Sequence, residues 1–502
     1  MNNGFECHRR NCTMVQILVA PNFSTPRICE IMEYTVRSSK PIYLFIALVA
    51  VAFFAVACSD DDDPDPDAGV EDVGPDVDPD PDVDPDPDVD PDPDVDPDPD
   101  ADTGTDPVEP FSEDCTVGLE PGADASATYA AAIEAFVDAE PGDIICFNDG
   151  HYEFNDQLSL TQDHIEIWGE SRDGTILDFA EQDAGSNGID VQGVDSFIIE
   201  SLTVRNTPGN GIEVRDSTGI HFDDLVVEWE GEPSEDNGAY GLYPVKSNTI
   251  IIENTRVFGS SDAGIYLGQS EYGVIRHNEV HGNVAGIEVE NSSHVEVYEN
   301  EAYDNTGGIL VFNLPELERA EGDFTRVRDN EIYDNNRENF AATGAIVGLV
   351  PQGSGVLIVS VQDVEIDNNE ITDHDSIGIG IINYDILPQP DYDDDDYYPF
   401  VERLRVHSNL IVNSGNDPDQ LALELTGLEA PLPDMIWDGI VNTEENGEDE
   451  RWNCFWDNVD DEGEPSTFVN INPPEGDGMD LGPYDCSDDP PESLPPIAFD
   501  DE

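Results

Sequence analysis

Three observations predict an all-β fold for this chain of 502 residues, a right-handed parallel β-helix with about 22 residues per coil. The first is a repeat. Asp-Ala-Gly-Ile-Tyr-Leu ends at Leu267, Val-Ala-Gly-Ile-Glu-Val at Val289 and Thr-Gly-Gly-Ile-Leu-Val at Val311, and their glycines, Gly264, Gly286 and Gly308, stand 22 residues apart. A fixed period of this size marks stacked repeats. The second is alternation: Ile265 and Leu267 flank Tyr266, and Val295 and Val297 flank Glu296, with Asn, Gly, Asp and Ser between the runs. Such runs are strands with one face inward, and the small polar residues supply the turns. The third is a recurring corner asparagine at Asn254, Asn278, Asn300, Asn330, Asn369 and Asn409. Asparagine tolerates the left-handed backbone of a sharp corner, and stacked amides bond along the axis.

Taken from the N-terminus, residues 1–57 read as an extension followed by an export signal. Met32, Arg37 and Lys40 precede the apolar run Ile42 to Ala57, which is short for a membrane span. It ends in Ala55-Val56-Ala57-Cys58, which resembles the bacterial lipoprotein signal. That resemblance implies a lipidated Cys58, a membrane anchor, and an exported protein at the outer membrane or cell surface. Residues 58–107 are Asp-Pro and Asp-Val-Asp-Pro units that bury nothing, repel one another and favour polyproline II, so they are a disordered tether.

Residues 108–150 are the N-terminal cap, with a short helix over Thr128 to Ala139 on the spacing of Tyr129, Ile133, Phe136 and Val137. The helix, then Pro141-Gly142-Asp143 and a strand, resembles the cap of pectin-lyase-type β-helices. Residues 151–415 hold the repeats, with Gly188, Gly211 and Gly241 before the core stretch and Gly355 and Gly378 after it. From about Asp417 the repeat fades, so residues 416–502 are an irregular C-terminal cap and tail holding Trp437, Trp452 and Trp456. Four cysteines remain after the anchor, and in an exported chain they suggest two structural disulfides. The local pairings are Cys115 with Cys146 and Cys454 with Cys486.

Composition excludes some partners. A formal charge of −96 rules out nucleic acid as an electrostatic partner. Only 23 of the 114 acidic residues lie between Ser59 and Pro107, so the folded part is itself acidic, as suits salty water. No cofactor is implied by any spacing of the histidines. The acidic loop Asp391 to Tyr398 makes calcium a possible ligand.

Function is expected on one face. Insertions at about 231–238, 314–322, 337–354 and 386–400 flank the Gly-Ile-x-Val strand on both sides and build walls along it. Outward residues there are Asp190, Glu213, Tyr243, Tyr266, Glu288 and Leu310, with Lys246 nearby. Aromatic rings and carboxylates along a shallow groove suit a glycan or polysaccharide, with Tyr243, Tyr266, Glu213 and Glu288 as its ligands. Glu213 and Glu288 lie three coils apart, too far to act as paired carboxylates.

Gly241 to Ser247, Ala263 to Ser270, Asn283 to Asn291 and Thr306 to Pro315 together resemble an exported bacterial family of parallel β-helix repeat proteins, whose members include uncharacterised lipoproteins. That resemblance implies a possible second exported protein as partner. More distantly the coils are similar to periplasmic copper-site maturation β-helices and to alginate C5-epimerases. The epimerase strand reads Tyr-Gly-Phe-Asp-Pro-His-Asp/Glu; here Tyr240-Gly241-Leu242-Tyr243-Pro244-Val245-Lys246 keeps Tyr, Gly and Pro but replaces the Asp and the His by Tyr243 and Val245. Glycan binding without strong catalysis is the first expectation. A polysaccharide lyase or epimerase using Tyr240, Tyr243 and Lys246 is the second, and a structural or partner-docking envelope protein the third.

Overall fold

The computed structural model describes residues 110–388, 392–442, 453–472, 478–497 and 499. Cys58, the signal, the tether, Asp391 and Trp452 lie outside the described residues. No helix among the described residues is long and apolar enough to cross a membrane.

Three all-parallel sheets of 12, 11 and 10 strands run side by side, each coil giving one strand to each sheet. We call them sheets I, II and III in that order. In sheet II the Gly-Ile-x-Val strands Tyr240–Val245, Ala263–Gly268, Ala285–Glu290, Gly307–Phe312, Ser354–Val359 and Ile377–Ile382 stack in register. Inside, Leu242 pairs with Ile265, Ile265 with Ile287, Ile287 with Ile309 and Ile309 with Val356. All five are fully buried in the continuous core. Like stacks on like because each coil adds the same inward residue to the same rung.

The corners between sheets are closed by side chains. At one corner Asn278, Asn300, Asn330, Asn369, Asn409 and Asn458 form a ladder: the backbone N–H and the Nδ2 of each donate to Oδ1 of the next, at 2.9–3.2 Å. Asn300 Nδ2 also donates to the carbonyl of Ile275 at 2.9 Å. The left-handed backbone sits one residue earlier, on His277, Glu299, Asp329, Asn368 and Ser408, with φ between 54 and 61°. The ladder and the left-handed turn therefore belong to neighbouring positions. Asn254 is a correction: it is an exposed left-handed residue, and Thr255 takes its rung, donating its backbone N–H to Asn278.

Two further corners escaped the sequence. Asn283, Asn305 and Asn335 repeat the amide ladder, which ends on His374 with Asn335 Nδ2 3.1 Å from its Nε2. Burial holds the His374 imidazole down at about 3, hence neutral and able to accept. At the third corner, serine hydroxyls of Ser217, Ser247, Ser270 and Ser292 accept from the backbone N–H one coil before.

The N-terminal helix, α1 (Ala125–Asp138), starts on Asp124, whose side chain accepts from the N–H of Ala127. It packs Phe136 into the core with Tyr129 and Ile133 against it, whereas Val137 is exposed, one residue off the apolar face expected. Disulfides join Cys115 to Cys146 and Cys454 to Cys486, one at each end of sheet I. Strands continue past residue 415: Met435–Trp437 and Phe468–Asn470 extend sheet II, and Cys454–Trp456 extends sheet I. The sequence period misses them because loops of irregular length separate these last rungs.

Asn300→Ala removes an acceptor from the buried N–H of Asn278 and strands the carbonyl of Ile275. Each buried unsatisfied group costs about 1–3 kcal/mol, so urea unfolding should show a loss of about 2–4 kcal/mol. Asn254→Gly keeps the left-handed turn and should stay within about 0.5 kcal/mol of the parent.

Candidate functional site

The outward column of sheet II follows the expected order. Asp190 pairs with Glu213, Glu213 with Tyr243, Tyr266 with Glu288, Glu288 with Leu310, Leu310 with Leu357, and Leu357 with Gly380. Its environment differs from an open groove. Tyr266 and Glu288 are each only 3% exposed, and a second apolar cluster lies over this face, separate from the core inside the coils. The walls close over the sheet instead of standing beside it.

Three zones succeed one another along the face. The first is polar. Glu213 is buried, accepts from Asn187 Nδ2 at 2.6 Å and Asn210 Nδ2 at 2.9 Å, and pairs with Arg215 at 3.1 Å. Arg215 also reaches Asp190 at 3.0 Å. Glu213 is thus held inside its own network and is not a free ligand for a sugar.

The second zone is aromatic and acidic. Tyr240 stacks on Tyr243 with centroids 4.5 Å apart and planes 7° from parallel, and Tyr266 lies 4.9 and 4.8 Å from the two. The Tyr266 ring runs along its own strand over Gly268, where any Cβ would fall about 2.1 Å from its hydroxyl. Glycine at 268 therefore lets that hydroxyl reach Glu290, to which it donates. Tyr240 donates to Asp262 at 3.2 Å. Glu288 makes no hydrogen bond or ion pair to another described residue.

These carboxyls hold protons unusually well. Burial pushes Asp262 up to about 6, against the hydrogen bond from Tyr240. Burial first, and then the charge of Asp262, raise Glu290 to about 7 despite its bond from Tyr266. Burial, with Asp262 and Glu290 as like-charged neighbours, raises Glu288 well above the usual carboxyl range. The same burial lifts the Tyr243 hydroxyl to about 12 and carries Tyr240 and Tyr266 higher still. The tyrosines are therefore hydrogen-bond donors and not bases.

Sequence reasoning missed Asp262 and Glu290. Glu290 was findable, since it lies two residues beyond Glu288 on the same alternating strand, but Asp262 sits in a turn with no periodic signal. Lys246 departs from its expected place. It occupies a left-handed corner past the strand, pairs with Glu318 of the 314–322 insertion, and lines a separate polar recess with Asp216 and Arg319. The lyase or epimerase trio of Tyr240, Tyr243 and Lys246 is accordingly split. The acidic groups beside the two tyrosines come from both directions, Glu213 from the coil before and Asp262 and Glu290 from the coils after.

The third zone is an apolar cleft between Glu288 and Ile471, described below. Elsewhere, rings on sheet III meet from coil to coil: Phe258 tilts against His281, His281 stacks on Tyr303 and Tyr303 on Tyr333, so the faces of the two inner rings are already covered. Two groups with cation-binding geometry, His221 with Asp223 and Glu253, and Glu365 with Asp367 and His407, draw ligands from adjacent coils. Arginine already supplies the positive charge, Arg276 on Glu253 and Arg326 on Asp367. In the acidic loop Tyr397 is buried and donates to the carbonyl of Asn313, while Asp394 accepts from the N–H of Glu316.

A family model described as a right handed beta helix region matches residues 163–313 and 234–389. The fold is a right-handed parallel β-helix. No curated protein sequence matches the chain. Similar solved structures include the A-modules of two mannuronan C-5 epimerases of Azotobacter vinelandii. AlgE6 is 15% identical over 70% of this chain and 84% of its own, with a TM-score of 0.44. AlgE4 is 16% identical over 68% and 92%, with a TM-score of 0.46. An alginate lyase from Paenibacillus sp. str. FPU-7 is 17% identical over 50% and 94%, with a TM-score of 0.32.

The raised carboxyls have a sign that can be measured. Each binds its proton more tightly in the folded than in the unfolded chain, so stability is greatest below the unfolded value and falls as pH rises through about 6 to 7. Glu290→Gln removes one such group and keeps an acceptor for Tyr266. Relative to the parent it should gain on the order of 1–3 kcal/mol between pH 5 and pH 8. Melting curves across that range check it, and an unchanged difference would mean Glu290 titrates normally.

Proposed function

We propose that the outer face of sheet II binds a neutral glycan and acts on it by acid–base chemistry, with Glu288 as proton donor. The observation that carries this reading is a carboxyl that is 3% exposed, unpaired among the described residues, raised in pKa and on a residue that lines a cleft. A general acid needs a proton to give near working pH and a place beside the leaving oxygen. Glu290, held by Tyr266 and ionised above about pH 7, takes the proton of the attacking water as the glycosidic bond breaks and Glu288 protonates the leaving oxygen. Asp262 is the third group that tunes both.

Charge selects among glycans. Three carboxyls and three phenols, with the adjacent Arg215 already tied to Asp190 and Glu213, offer no free cation to a uronate. Proton-loaded carboxyls and phenols match hydroxyl groups instead. The reading thus moves from lyase or epimerase action towards protonation of a glycosidic oxygen in an uncharged sugar. Binding without turnover is the second reading. Its support is the internal pairing of Tyr240 with Asp262 and Tyr266 with Glu290, which gives the cluster a structural role as well.

A panel of neutral polysaccharides, assayed for released reducing ends and for affinity, tests both. Glu288→Gln should lower turnover by at least about 100-fold and leave affinity within a few-fold. Binding with no turnover in the parent would leave the second reading. Neither binding nor turnover on any member would discard both.

The location is proposed from the N-terminal sequence: an exported chain anchored by lipid on Cys58, with the Asp-Pro tether between anchor and β-helix. Cys58→Ala should release the protein from membrane fractions, and unchanged detergent partition would sink the anchor. A second exported protein as partner stays part of this proposal, resting on the family resemblance alone.

A further inference from the structure

The third zone has a character that a polar glycan alone does not explain. Its walls are almost wholly hydrocarbon. Leu310, Phe312, Leu357 and Ile382 rise from the outer face of sheet II, and the insertions supply Val347 and Leu387. The roof is fixed: the Gln352 N–H donates to Asp419, which also caps α2 (Gln420–Thr426), and Ser376 bonds to both segments.

The floor of the cleft changes at one rung. Gly380 stands where its column otherwise carries Leu357 and Ile436, so one side chain is missing from the middle of the outward row. A Cβ there would meet Leu357 at 2.8 Å and Ile377 at 3.2 Å, so these two side chains lean over the glycine and already take up its place. The cavity measures about 90 Å³ and is partly open. A dry cavity of ~150 Å³ takes a benzene ring, which scales to roughly three or four carbon atoms here. At one end stands the unpaired Glu288.

A carboxyl without a partner at the end of an apolar slot is costly unless a ligand completes it. We propose that the cleft takes an aliphatic chain of about four carbons that carries a hydroxyl-bearing head, with the head at Glu288. This rests on the glycan reading only for the nature of the head, which would then be the sugar, making the substrate an alkyl- or acyl-substituted glycan. The two zones share Glu288, so one molecule spans both.

Chain length separates this inference from the one it deepens. Each buried methylene is worth about fourfold in affinity, so a butyl group should gain on the order of 50-fold over a methyl group. We would titrate the full chain with butyl and methyl glucoside by calorimetry, and with 1-butanol and methanol by methyl NMR of labelled isoleucine and leucine. The expected result is the butyl gain in both pairs, centred on Leu310, Leu357 and Ile382. Ile346→Trp, on the half-exposed roof, and Gly380→Val, on the floor, should each reduce that gain to within about threefold. Ile346→Trp serves where Gly380→Val folds poorly. Equal affinity for butyl and methyl members of both pairs overturns the inference, and methyl glucoside binding would then leave the glycan reading standing. Butanol binding in the cleft, with methyl glucoside unbound and butyl glucoside no tighter than butanol, upholds the cleft and removes the sugar from it.

Discussion

A coil that turns from one sheet into the next must satisfy the backbone N–H groups that the turn takes out of the ladder. Buried corners cannot use water for this, and an orphaned donor there costs as much as a lost hydrogen bond. The chain solves it by lending each corner a side-chain oxygen from the following coil: Asn at two corners, Ser at the third. Because each rung accepts from the one before, the corners lock coils in register as well as closing them. The exposed left-handed residues beside the first ladder would each cost about 1–2 kcal/mol on their own. The paired, buried amide next to them offsets that cost, which is why His277, Glu299 and Ser408 are tolerated at such angles.

With the coils fixed in register, the outer face of sheet II becomes a column in which a single residue changes one rung of one zone. Tyr243 and Tyr266 meet because they are register neighbours, and Gly268 gives the second ring its bed. Gly380 does the reverse further along: it carries no side chain, and Leu357 and Ile377 lean over it. Acidic groups accumulate between the two because Glu288 and Glu290 project from the same strand face as Tyr266 and Gly268. Their raised proton affinities come chiefly from burial, the leading cause for all three carboxyls. The 337–354 insertion lines the cleft beside Glu288 without contributing a carboxyl to the cluster.

The repeat period, the inward Ile and Val, the order Asp190, Glu213, Tyr243, Tyr266, Glu288, Leu310 and most of one asparagine ladder were determined by the sequence alone. Periodicity carries that information, because a strand's alternation and a coil's length leave one outward column once the glycines are aligned. Tertiary structure decided what the column faces. Insertions have no period, so nothing in them says whether they stand as walls or fold down as a roof over the cleft that Glu288 lines. Asp262 comes from a turn, Lys246 is carried round a corner to Glu318, and the last rungs near Met435 and Phe468 follow loops of irregular length. Proton affinity, access and apolar volume depend on distances between segments far apart in the chain, and a local pattern holds no record of those distances.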